Sequence, residues 1–348
     1  MTELPSLFLD RESFQAAFVS GLECMLHRHD GLGVFILVLA NASFDPLVQK
    51  RLRADLMRRF DQCSGTLRDA LREGRRSPDA SDDVDVFLRL MALGLEAVTP
   101  TRFRRVGPWR LQYNLVRALR PPRMAKTAVS SLRQPFDAAG FHFNKAFLRK
   151  EVFWEGDLLG WPARLLYNKF PFAPLHGLLV LDPAAERPQL LSEDAHRRVW
   201  ALSECVGDRM PGFGAGYNSY GAYASVNHQH FQTFILEAGA GFPVESSHWR
   251  HNGGAQAYPV ACTRHTDVDR AWSQLEELHL ADQAYNLLYR PGCLYVLPRG
   301  FQGSYRHADW TGGFAWSELA GSITTFNEEE FEALDPETIE AEFAKLRL

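Results

Sequence analysis

The chain has 348 residues, of which 46% are hydrophobic and 23% are charged, and its formal net charge at pH 7 is −4. This composition predicts an ordinary soluble protein with an ample core, and the small negative charge excludes a general electrostatic footprint for nucleic acid. The longest apolar run near the N-terminus, residues 31–40, is far too short to cross a bilayer. No signal peptide precedes it, so we expect a cytoplasmic protein with no membrane partner.

The cysteine pattern argues against a zinc site. The five cysteines are widely scattered, at Cys24, Cys63, Cys205, Cys262 and Cys293, and no Cys-x-x-Cys pair occurs. We therefore predict reduced, buried thiols, no bound metal and no cofactor.

The first part of the chain, residues 1–108, is predicted to be mainly helical. Asp45-Pro46 is a good helix start, because Asp caps the first turn and Pro suits the first helical position. Apolar residues then recur every four positions, at Val48, Leu52, Leu56 and Phe60. Residues 73–83 form a polar connector, and a second buried helix face follows, at Val84, Phe87, Leu88, Met91 and Leu95. No catalytic constellation precedes about Arg110, so we expect this region to pack against or cap the core.

From Trp109 onward, apolar runs alternate with turn signals, which predicts a second, mixed domain over residues 109–348. We expect a helix over Glu193–Val206 and a strand over each of five apolar runs: Val152–Trp154, Ala163–Tyr167, Gly177–Leu181, Val226–Leu236 and Cys293–Leu297. The segments Ala163–Asn168 and Ala284–Tyr289 are loosely alike. A divergent duplication explains this likeness, and coincidence explains it nearly as well.

The C-terminal part is predicted to be helical. Asn327 and Glu330 make a capping box, and Asp335-Pro336 starts a last helix. That helix places its apolar residues on one face, at Ile339, Phe343 and Leu346.

The most informative segment is the predicted strand Val226–Leu236. Successive side chains of a strand point to opposite faces, so His228, His230, Gln232 and Phe234 share one face. A neutral imidazole is a competent nucleophile near neutral pH, and a covalent His intermediate divides a difficult displacement into two easier steps. An uncharged amide beside it can donate to a phosphoryl oxygen. The alternatives are half of a metal site or a plain surface pattern.

Residues before this strand suit an anion. Ser225 offers a hydroxyl and a backbone N–H three residues before His228. Backbone amides can approach an anion closely at glycines, of which four precede the pair: Gly212, Gly214, Gly216 and Gly221.

Three segments together resemble a known family. Asn-His-x-His-Phe-Gln, at residues 227–232, follows Gly-Tyr-Asn-Ser, at residues 216–219. Residues 131–145 contain Gln-Pro-Phe-Asp and Phe-His-Phe-Asn-Lys, and residues 167–181 contain Tyr-Asn-Lys-Phe-Pro and Leu-His-Gly-Leu-Leu-Val-Leu. These segments resemble the GDP-hexose phosphorylases of the histidine-triad superfamily, which stand beside the galactose-1-phosphate uridylyltransferases and the diadenosine tetraphosphate phosphorylases. The resemblance covers about Arg110 to Gly321, and it departs from the family where His176 precedes Gly177 in place of the usual Gly-His order.

The resemblance implies a fold and a reaction. The fold would be α+β, a HIT-like antiparallel sheet with flanking helices and a duplicated half, plus the N-terminal helical region. His230 would attack the α-phosphorus of a nucleotide sugar and expel a hexose 1-phosphate, and orthophosphate would then release the nucleoside diphosphate. His228 would orient the strand, while Gln232 and Ser225 would hold the non-bridging oxygens. Such transfer depends mainly on positioning and charge stabilisation, so a site without an obvious metal is chemically acceptable.

Weaker candidates for substrate binding lie in or beside the matching motifs. Lys145 and Lys169 offer point charges for phosphates, and an isolated lysine is otherwise solvated surface. Asn218 is expected to contact ribose or phosphate, or to cap the turn. We also assign Asn168, Asn227 and Glu318 to substrate binding, the last to a guanine edge or a sugar hydroxyl. Three arginines lie around Pro121-Pro122 and form a basic loop: Arg117, Arg120 and Arg123. This loop is expected either to reach a phosphate tail of the substrate or to be an ordinary surface loop.

Two other functions stay open. One is a dinucleoside polyphosphate phosphorylase or an adenylyltransferase acting on a small molecule, which Asn168–Pro171 also fits. The other is a regulator that binds a nucleotide without turnover. The expected partners are a nucleotide or nucleotide-sugar substrate and a phosphate acceptor, and the resemblance also suggests a homodimer.

Overall fold

The computed structural model describes residues 4–120 and 128–347, and these ranges fold into an α+β structure, as predicted. Their α-helices are α1 Arg11–Arg28, α2 Leu32–Ala42, α3 Pro46–Arg72, α4 Ser81–Leu93, α5 Leu115–Ala118, α6 Glu193–Gly207, α7 Val268–Leu280, α8 Trp316–Leu319, α9 Glu328–Ala333 and α10 Pro336–Ala344. Their strands are β1 Arg102–Val106, β2 Trp109–Tyr113, β3 Val152–Leu158, β4 Trp161–Tyr167, β5 Gly177–Leu181, β6 Phe213–Asn218, β7 Phe231–Ile235, β8 Thr263–His265, β9 Tyr285–Arg290, β10 Cys293–Pro298 and β11 Ser322–Thr325.

The N-terminal helices pack around α2. This helix is apolar on all sides and buried along its whole length, which explains why it lies between α1, α3 and α4. The Asp45 carboxylate caps α3 by accepting from Leu47 N–H at 2.8 Å, which confirms the predicted helix start. No helix within the described ranges is both long and apolar enough to cross a membrane.

The predicted face of α4 was partly wrong. Its buried residues are Val86, Phe87 and Leu90, whereas Leu88 is 38% exposed and Leu95 lies beyond the helix end. The connector is also shorter than predicted, because α4 begins at Ser81. The acidic side chains Asp82 and Asp83 fall in its first turn, where the helix dipole favours negative charge.

Two sheets form the rest of the protein. The larger is antiparallel throughout, in the order β3-β4-β5-β7-β6-β9-β10-β8. The smaller has the order β1-β2-β11, with β11 parallel to β2. Because β1 precedes residue 109, the smaller sheet draws on both sides of the predicted domain boundary, and the division at 108/109 stays a prediction.

Hydrophobic cores cover both faces of the large sheet. Tyr217, Phe231 and Tyr289 point into one core with α1–α4, α6 and α7. Phe234 and Leu288 point into the other, with α8, α10 and the smaller sheet. Strands buried on both faces explain why β9 and β10 are apolar without a clean alternation.

The large sheet contains a repeat of topology. The unit β5-α6-β6-β7 occupies one side and β8-α7-β9-β10 the other, with β6 and β9 adjacent at the centre. The two units therefore have the same order of elements and meet at the antiparallel pair of β6 and β9. This supports a duplication, but it does not equate the two similar segments of the sequence, because Ala163–Asn168 falls on β4 and Ala284–Tyr289 on β9, whose counterpart is β6.

Most predicted elements are confirmed, including α6, β4, β5, β10 and α10. The strand predicted over Val226–Leu236 is shorter, since only Phe231–Ile235 pairs in the sheet. Asn327 caps α9 by accepting from Glu330 N–H, and the apolar face of the last helix is buried. All five cysteines are free, but Cys205 is exposed, which corrects the expectation that every thiol is buried.

Candidate active site

The histidine pair lies in the loop between β6 and β7, residues 219–230. Small residues let this loop leave the sheet next to Trp316, because a Cβ added at Gly216 would come within 2.2 Å of the indole ring. Gly221, at φ +85°, and Tyr223, at φ +65°, then turn the chain in the left-handed region. The chain bends again over residues 225–228 and enters β7 at Phe231.

His230 is held by its Nδ1 atom. This nitrogen lies 2.8 Å from the backbone carbonyl of His228 and 3.0 Å from Oε1 of Gln189. Both neighbours are acceptors, so Nδ1 carries the hydrogen and the neutral ring presents a lone pair at Nε2. Nε2 has no hydrogen-bond partner among residues 4–120 and 128–347.

Gln189 fixes this arrangement, and the sequence analysis did not identify it. Its Oε1 also accepts from the His230 backbone N–H at 2.9 Å. Its Nε2 donates to the carbonyls of Asn218 at 2.9 Å and His230 at 3.2 Å. These partners determine the orientation of the amide, and the side chain is only 1% exposed. Gln189 therefore joins β6, the start of β7 and the imidazole of His230.

His228 has the opposite tautomer. Its Nδ1 accepts from the Phe143 backbone N–H at 3.2 Å, so the neutral ring bears its hydrogen on Nε2. The Phe143 ring packs against both histidines, with centroids 5.7 Å from His228 and 4.9 Å from His230. The two imidazoles thus lie on the same side of the loop, one with a lone pair at Nε2 and the other with an N–H.

Burial keeps both histidines neutral. Desolvation lowers the pKa of His230 to about 4, against the opposing hydrogen bond to the His228 carbonyl. Desolvation also lowers the pKa of His228 to about 4, and the positive charge that His230 would carry adds to the effect. At pH 7 the pair is therefore in the form that a nucleophile and a hydrogen-bond donor require.

Gln232 follows on the same side of the strand, as predicted. Its Oε1 accepts from the indole N–H of Trp316 at 2.7 Å, which leaves the amide N–H groups as donors. The Trp316 ring stacks on Phe234 with centroids 5.3 Å apart. The two histidines therefore contact Phe143, whereas Gln232 and Phe234 contact Trp316. His176 adjoins Gln232, and burial followed by the charge of Arg117 lowers the pKa of His176 to about 3.

Arg117 brings a buried cation to this end of the site. Its Nη1 donates to the Phe170 carbonyl at 2.5 Å, and its guanidinium lies 4.7 Å from the centre of the Phe172 ring. Nε is buried with no hydrogen-bond partner in the described parts of the chain. Burial lowers the pKa of Arg117, and the charge of Glu318 opposes this. The arginine stays charged, because an ordinary guanidinium pKa exceeds 12.

The remaining candidates occupy different places. Asn218 is buried and accepts from Trp316 N–H at 2.8 Å and from Asn286 Nδ2 at 2.6 Å. Asn227 accepts from Gln189 N–H at 2.9 Å and donates to the Pro135 carbonyl at 2.8 Å. Both asparagines therefore hold the walls of the site together, while their roles toward a substrate stay predictions.

Ser225, Lys145 and Glu318 have separate surroundings. Ser225 is exposed on the loop. The ammonium of Lys145 donates to the carbonyls of Ala138 at 3.0 Å and Ala139 at 3.3 Å, within its own loop. Glu318 is buried and accepts from Ser317 Oγ at 3.1 Å at the start of α8.

Asn168 and Lys169 lie between the site and the N-terminal helices. Asn168 Nδ2 is 3.2 Å from His176 Nε2, so this residue reaches the Gln232 end of the site. Lys169 forms an ion pair with Asp83 of α4 at 2.5 Å. Arg123, the last arginine of the predicted basic loop, lies outside the described residues, and Arg120 stacks on the Phe170 ring at 5.6 Å. No cluster of three or more His, Cys, Asp or Glu in the described ranges is arranged to hold a metal.

The fold and the site define an α+β protein with a buried, neutral histidine pair at the end of an antiparallel strand. Residues 108–234 match the family model described as GDPGP1-like, N-terminal domain. This match confirms, over those residues, the resemblance that the motifs indicated.

Relatives with similar sequences agree with that resemblance over the same part of the chain. Human GDP-D-glucose phosphorylase 1 is 36% identical over 134 residues, which are 36% of this chain and 33% of the relative. The Danio rerio protein of the same name is 31% identical over 125 residues, 36% of this chain and 35% of the relative. The chain thus spans about a third of the length of these relatives. Among solved structures, yeast Ap4A phosphorylase Apa2 in complex with Ap4A aligns with 76% of this chain and 97% of its own, at 17% identity and a TM-score of 0.49.

Proposed function

We propose that this protein is a nucleotidyltransferase that phosphorolyses a nucleoside-diphosphate sugar, converting GDP-hexose and phosphate to hexose 1-phosphate and GDP. The observation that carries the proposal is His230: its Nδ1 is committed as a donor to two oxygens, and its Nε2 keeps a lone pair in a neutral ring. The names of the relatives support the choice of substrate.

The first step forms a covalent intermediate. Nε2 of His230 attacks the α-phosphorus, and an N–P bond forms as the bond from that phosphorus to the bridging oxygen breaks. The electron pair of the broken bond leaves with hexose 1-phosphate. His230 keeps its Nδ1 hydrogen and becomes a cation, which the His228 carbonyl and Gln189 Oε1 stabilise as acceptors.

The second step regenerates the imidazole. An oxygen of orthophosphate attacks the same phosphorus from the side that the sugar phosphate has vacated. The N–P bond breaks, its electron pair returns to Nε2, and GDP leaves. Neither step requires a change in the protonation of Nδ1, so one tautomer serves both half-reactions.

Three donors are suited to the charge of the phosphoryl group. His228 presents its Nε2–H beside His230, and the Gln232 amide N–H groups point away from the oxygen that Trp316 occupies. Arg117 carries a buried positive charge beside His176 and Gln232. Donors placed in a desolvated site stabilise developing phosphoryl charge more than they would in water. We propose that Arg117 holds the acceptor phosphate or the departing sugar phosphate.

A substrate panel tests the reaction. The protein would be incubated with GDP-glucose, ADP-glucose, UDP-glucose and diadenosine tetraphosphate, each with and without phosphate. We expect phosphate-dependent release of GDP from GDP-glucose, lost in His230→Ala. Phosphate-dependent release of ADP or ATP from the dinucleotide alone would replace the proposal with the dinucleoside polyphosphate reaction.

The covalent intermediate has its own measurement. Intact-mass spectrometry after mixing with GDP-glucose without phosphate should reveal an acid-labile guanylyl adduct that His230→Ala lacks. His228→Asn is the matched variant, because it changes the neighbouring imidazole and leaves the nucleophile in place. Tight GDP binding with neither adduct nor turnover would contradict the enzyme assignment and favour a nucleotide-binding regulator.

A further inference from the structure

Residues 167–170 connect β4 to the candidate site, and the N-terminal helices hold this segment from outside the family match. We call it the anchor segment. Tyr167 Oη donates to the Phe18 carbonyl of α1 at 2.6 Å. Asn41 Nδ2, at the end of α2, donates to the Asn168 carbonyl at 2.9 Å. Two neighbouring residues of one short segment are therefore bonded to two different helices.

A third helix completes the set. The Lys169 ammonium pairs with the Asp83 carboxylate of α4 at 2.5 Å, and the two side chains are only 24% and 13% exposed. An ion pair that is shielded from solvent loses less to screening than a surface pair, and each partner would leave an uncompensated charge if the other were removed. Three consecutive residues thus connect to α1, α2 and α4 in turn.

The anchor segment passes these restraints to the site. The side chain of Asn168 contacts His176 Nε2, and the His176 carbonyl accepts from Asn168 N–H at 3.2 Å. The Phe170 carbonyl accepts from Arg117. Asn168 Oδ1 also accepts from Phe170 N–H at 3.0 Å, so the segment is braced internally. A shift of the segment would move His176 and Arg117 together, on the side of the site where Gln232 lies.

We propose that the N-terminal helical region is a positioning element for the active site, with Asn41 and the Asp83–Lys169 pair fixing the anchor segment and, through it, Arg117 and His176. The proposal rests on the proposed function for its kinetic consequences. It also gives Lys169 a different role from the phosphate ligand that the sequence suggested: its charge is used within the protein. Displacement of binding groups by about 1 Å can cost on the order of 10²-fold in rate.

A double-mutant cycle separates the two roles of Lys169. Asp83→Asn, Lys169→Met and the double variant would be compared with wild type. A positioning pair predicts a fall in kcat of about tenfold in each single variant and no greater fall in the double variant, because each single change already removes the pairing. A charge swap is less suitable, since it would place a carboxylate near Glu151, whose pKa is raised by burial to about 7.

Hydrogen exchange provides a readout that does not depend on turnover. Exchange in peptides covering residues 167–177 should quicken in Asp83→Asn, in Lys169→Met and in Asn41→Ala, while KM for GDP-glucose changes less than twofold. Asp85→Asn is the matched control on α4, because Asp85 forms an exposed ion pair with Arg89 on the same helix. It should leave both exchange and kcat at the wild-type level.

The outcomes distinguish the positioning role from the proposed reaction. Unchanged exchange in all three variants would overturn the positioning role, whatever the activity. A raised KM for phosphate in Lys169→Met and in the double variant, with exchange at the wild-type rate, would make Lys169 a phosphate ligand and overturn it as well. If wild type fails to phosphorolyse GDP-glucose, the proposed function fails alone, and faster exchange in the variants would still support the positioning role.

Discussion

The two halves of the large sheet share a topology but differ in the loop between their last two strands. In the first half, residues 219–230 join β6 to β7 and carry His228 and His230. In the second half, only Pro291 and Gly292 join β9 to β10. The helix of each half contacts a tyrosine of β9. His196 Nδ1 of α6 lies 2.8 Å from the Tyr289 hydroxyl, and His279 Nε2 of α7 lies 2.7 Å from the Tyr285 hydroxyl.

Under the proposed function, this difference places the reacting groups in the first half. The sheet supplies rigid strand ends in both halves, but the tight turn of the second half has no room for side chains that converge on a ligand. The long loop of the first half brings two imidazoles against Phe143 and lets Gln189 accept from the backbone N–H of His230, the residue just before β7. Under the proposed function, the reaction depends on a loop held by a scaffold, and the second half keeps the scaffold alone.

The largest expected effect is acid destabilisation, which arises mainly in the first half. Burial lowers the pKa of His176 to about 3 and those of His196, His228 and His230 to about 4, whereas the second half has only His279 in this condition. These rings are neutral when folded and take up protons near pH 6.5 when unfolded. The contribution of these histidines to the free energy of unfolding is therefore fully present above about pH 6.5. It falls as the pH drops toward 4, by up to about 1.4 kcal/mol per pH unit for each histidine.

Urea unfolding between pH 7.5 and 4.5 measures this slope. His230→Gln removes one of the groups that take up a proton on unfolding. The slope of its unfolding free energy against pH should therefore be shallower than that of wild type, by up to the contribution of one histidine. A wild-type unfolding free energy that stays level from pH 7 to pH 5 would contradict the assignment of neutral, buried imidazoles.

The next largest effect is expected at Gln189. Its contacts with His230 belong to the first half, and the turn between β9 and β10 in the second half has no histidine to which they could correspond. Gln189→Ala removes the Oε1 acceptor from His230 Nδ1 and leaves the Asn218 carbonyl without its donor. We expect kcat for phosphorolysis to fall on the order of 10²-fold, less than the roughly 10⁴-fold cost of a wrong tautomer in serine proteases, since the His228 carbonyl still holds Nδ1.

Gln189→Glu is the matched variant. It keeps an acceptor for Nδ1 but adds a negative charge, which should raise the pKa of His230 and move the acid limb of the pH profile of kcat/KM upward. If Gln189→Ala lowers stability but leaves kcat per folded molecule unchanged, Gln189 is a packing residue and does not position the imidazole.

The sequence revealed the histidine site better than it revealed its supports. His228, His230 and Gln232 were visible because alternate residues share a side of an extended chain, and Phe143 lies within a motif that the resemblance included. Gln189 was not visible, because it lies 41 positions before His230 in a loop without periodicity. Its only local signal is its place just before the helix cap Ser192, and no spacing rule connects that place to β7.

The same limit explains the errors in the fold. Local patterns predicted α3, α6, β5 and α10, whose caps or apolar periodicity are strong. They missed β6, because Gly214 and Gly216 weaken the strand signal, although close packing by Phe234 and Trp316 requires these glycines. They extended β7 to Val226, because apolar residues flank the loop as well as the strand.

A smaller effect is expected at Gln232. Gln232→Glu keeps the acceptor for the Trp316 indole but loses the amide donors and adds a negative charge beside the phosphoryl group. We expect kcat/KM to fall about tenfold or more, with fluorescence of Trp316 little changed. Gln274→Glu on α7 of the second half adds the same charge away from the site and should leave kcat/KM unchanged. Equal losses in both variants would mean that net charge, and not the position of Gln232, controls the rate.

The smallest effect is expected in the turn of the second half. Gly292 has φ +72°, and a Cβ added there meets no atom within 4 Å, so Gly292→Ala strains the backbone without a clash. The cost should be about 1 kcal/mol in the free energy of unfolding, measured by urea titration. Kcat and KM should be unchanged, because this turn holds none of the groups that its counterpart brings to the site. A selective loss of kcat at full folding would show that the second half also takes part in the reaction, and that the division of labour between the halves is wrong.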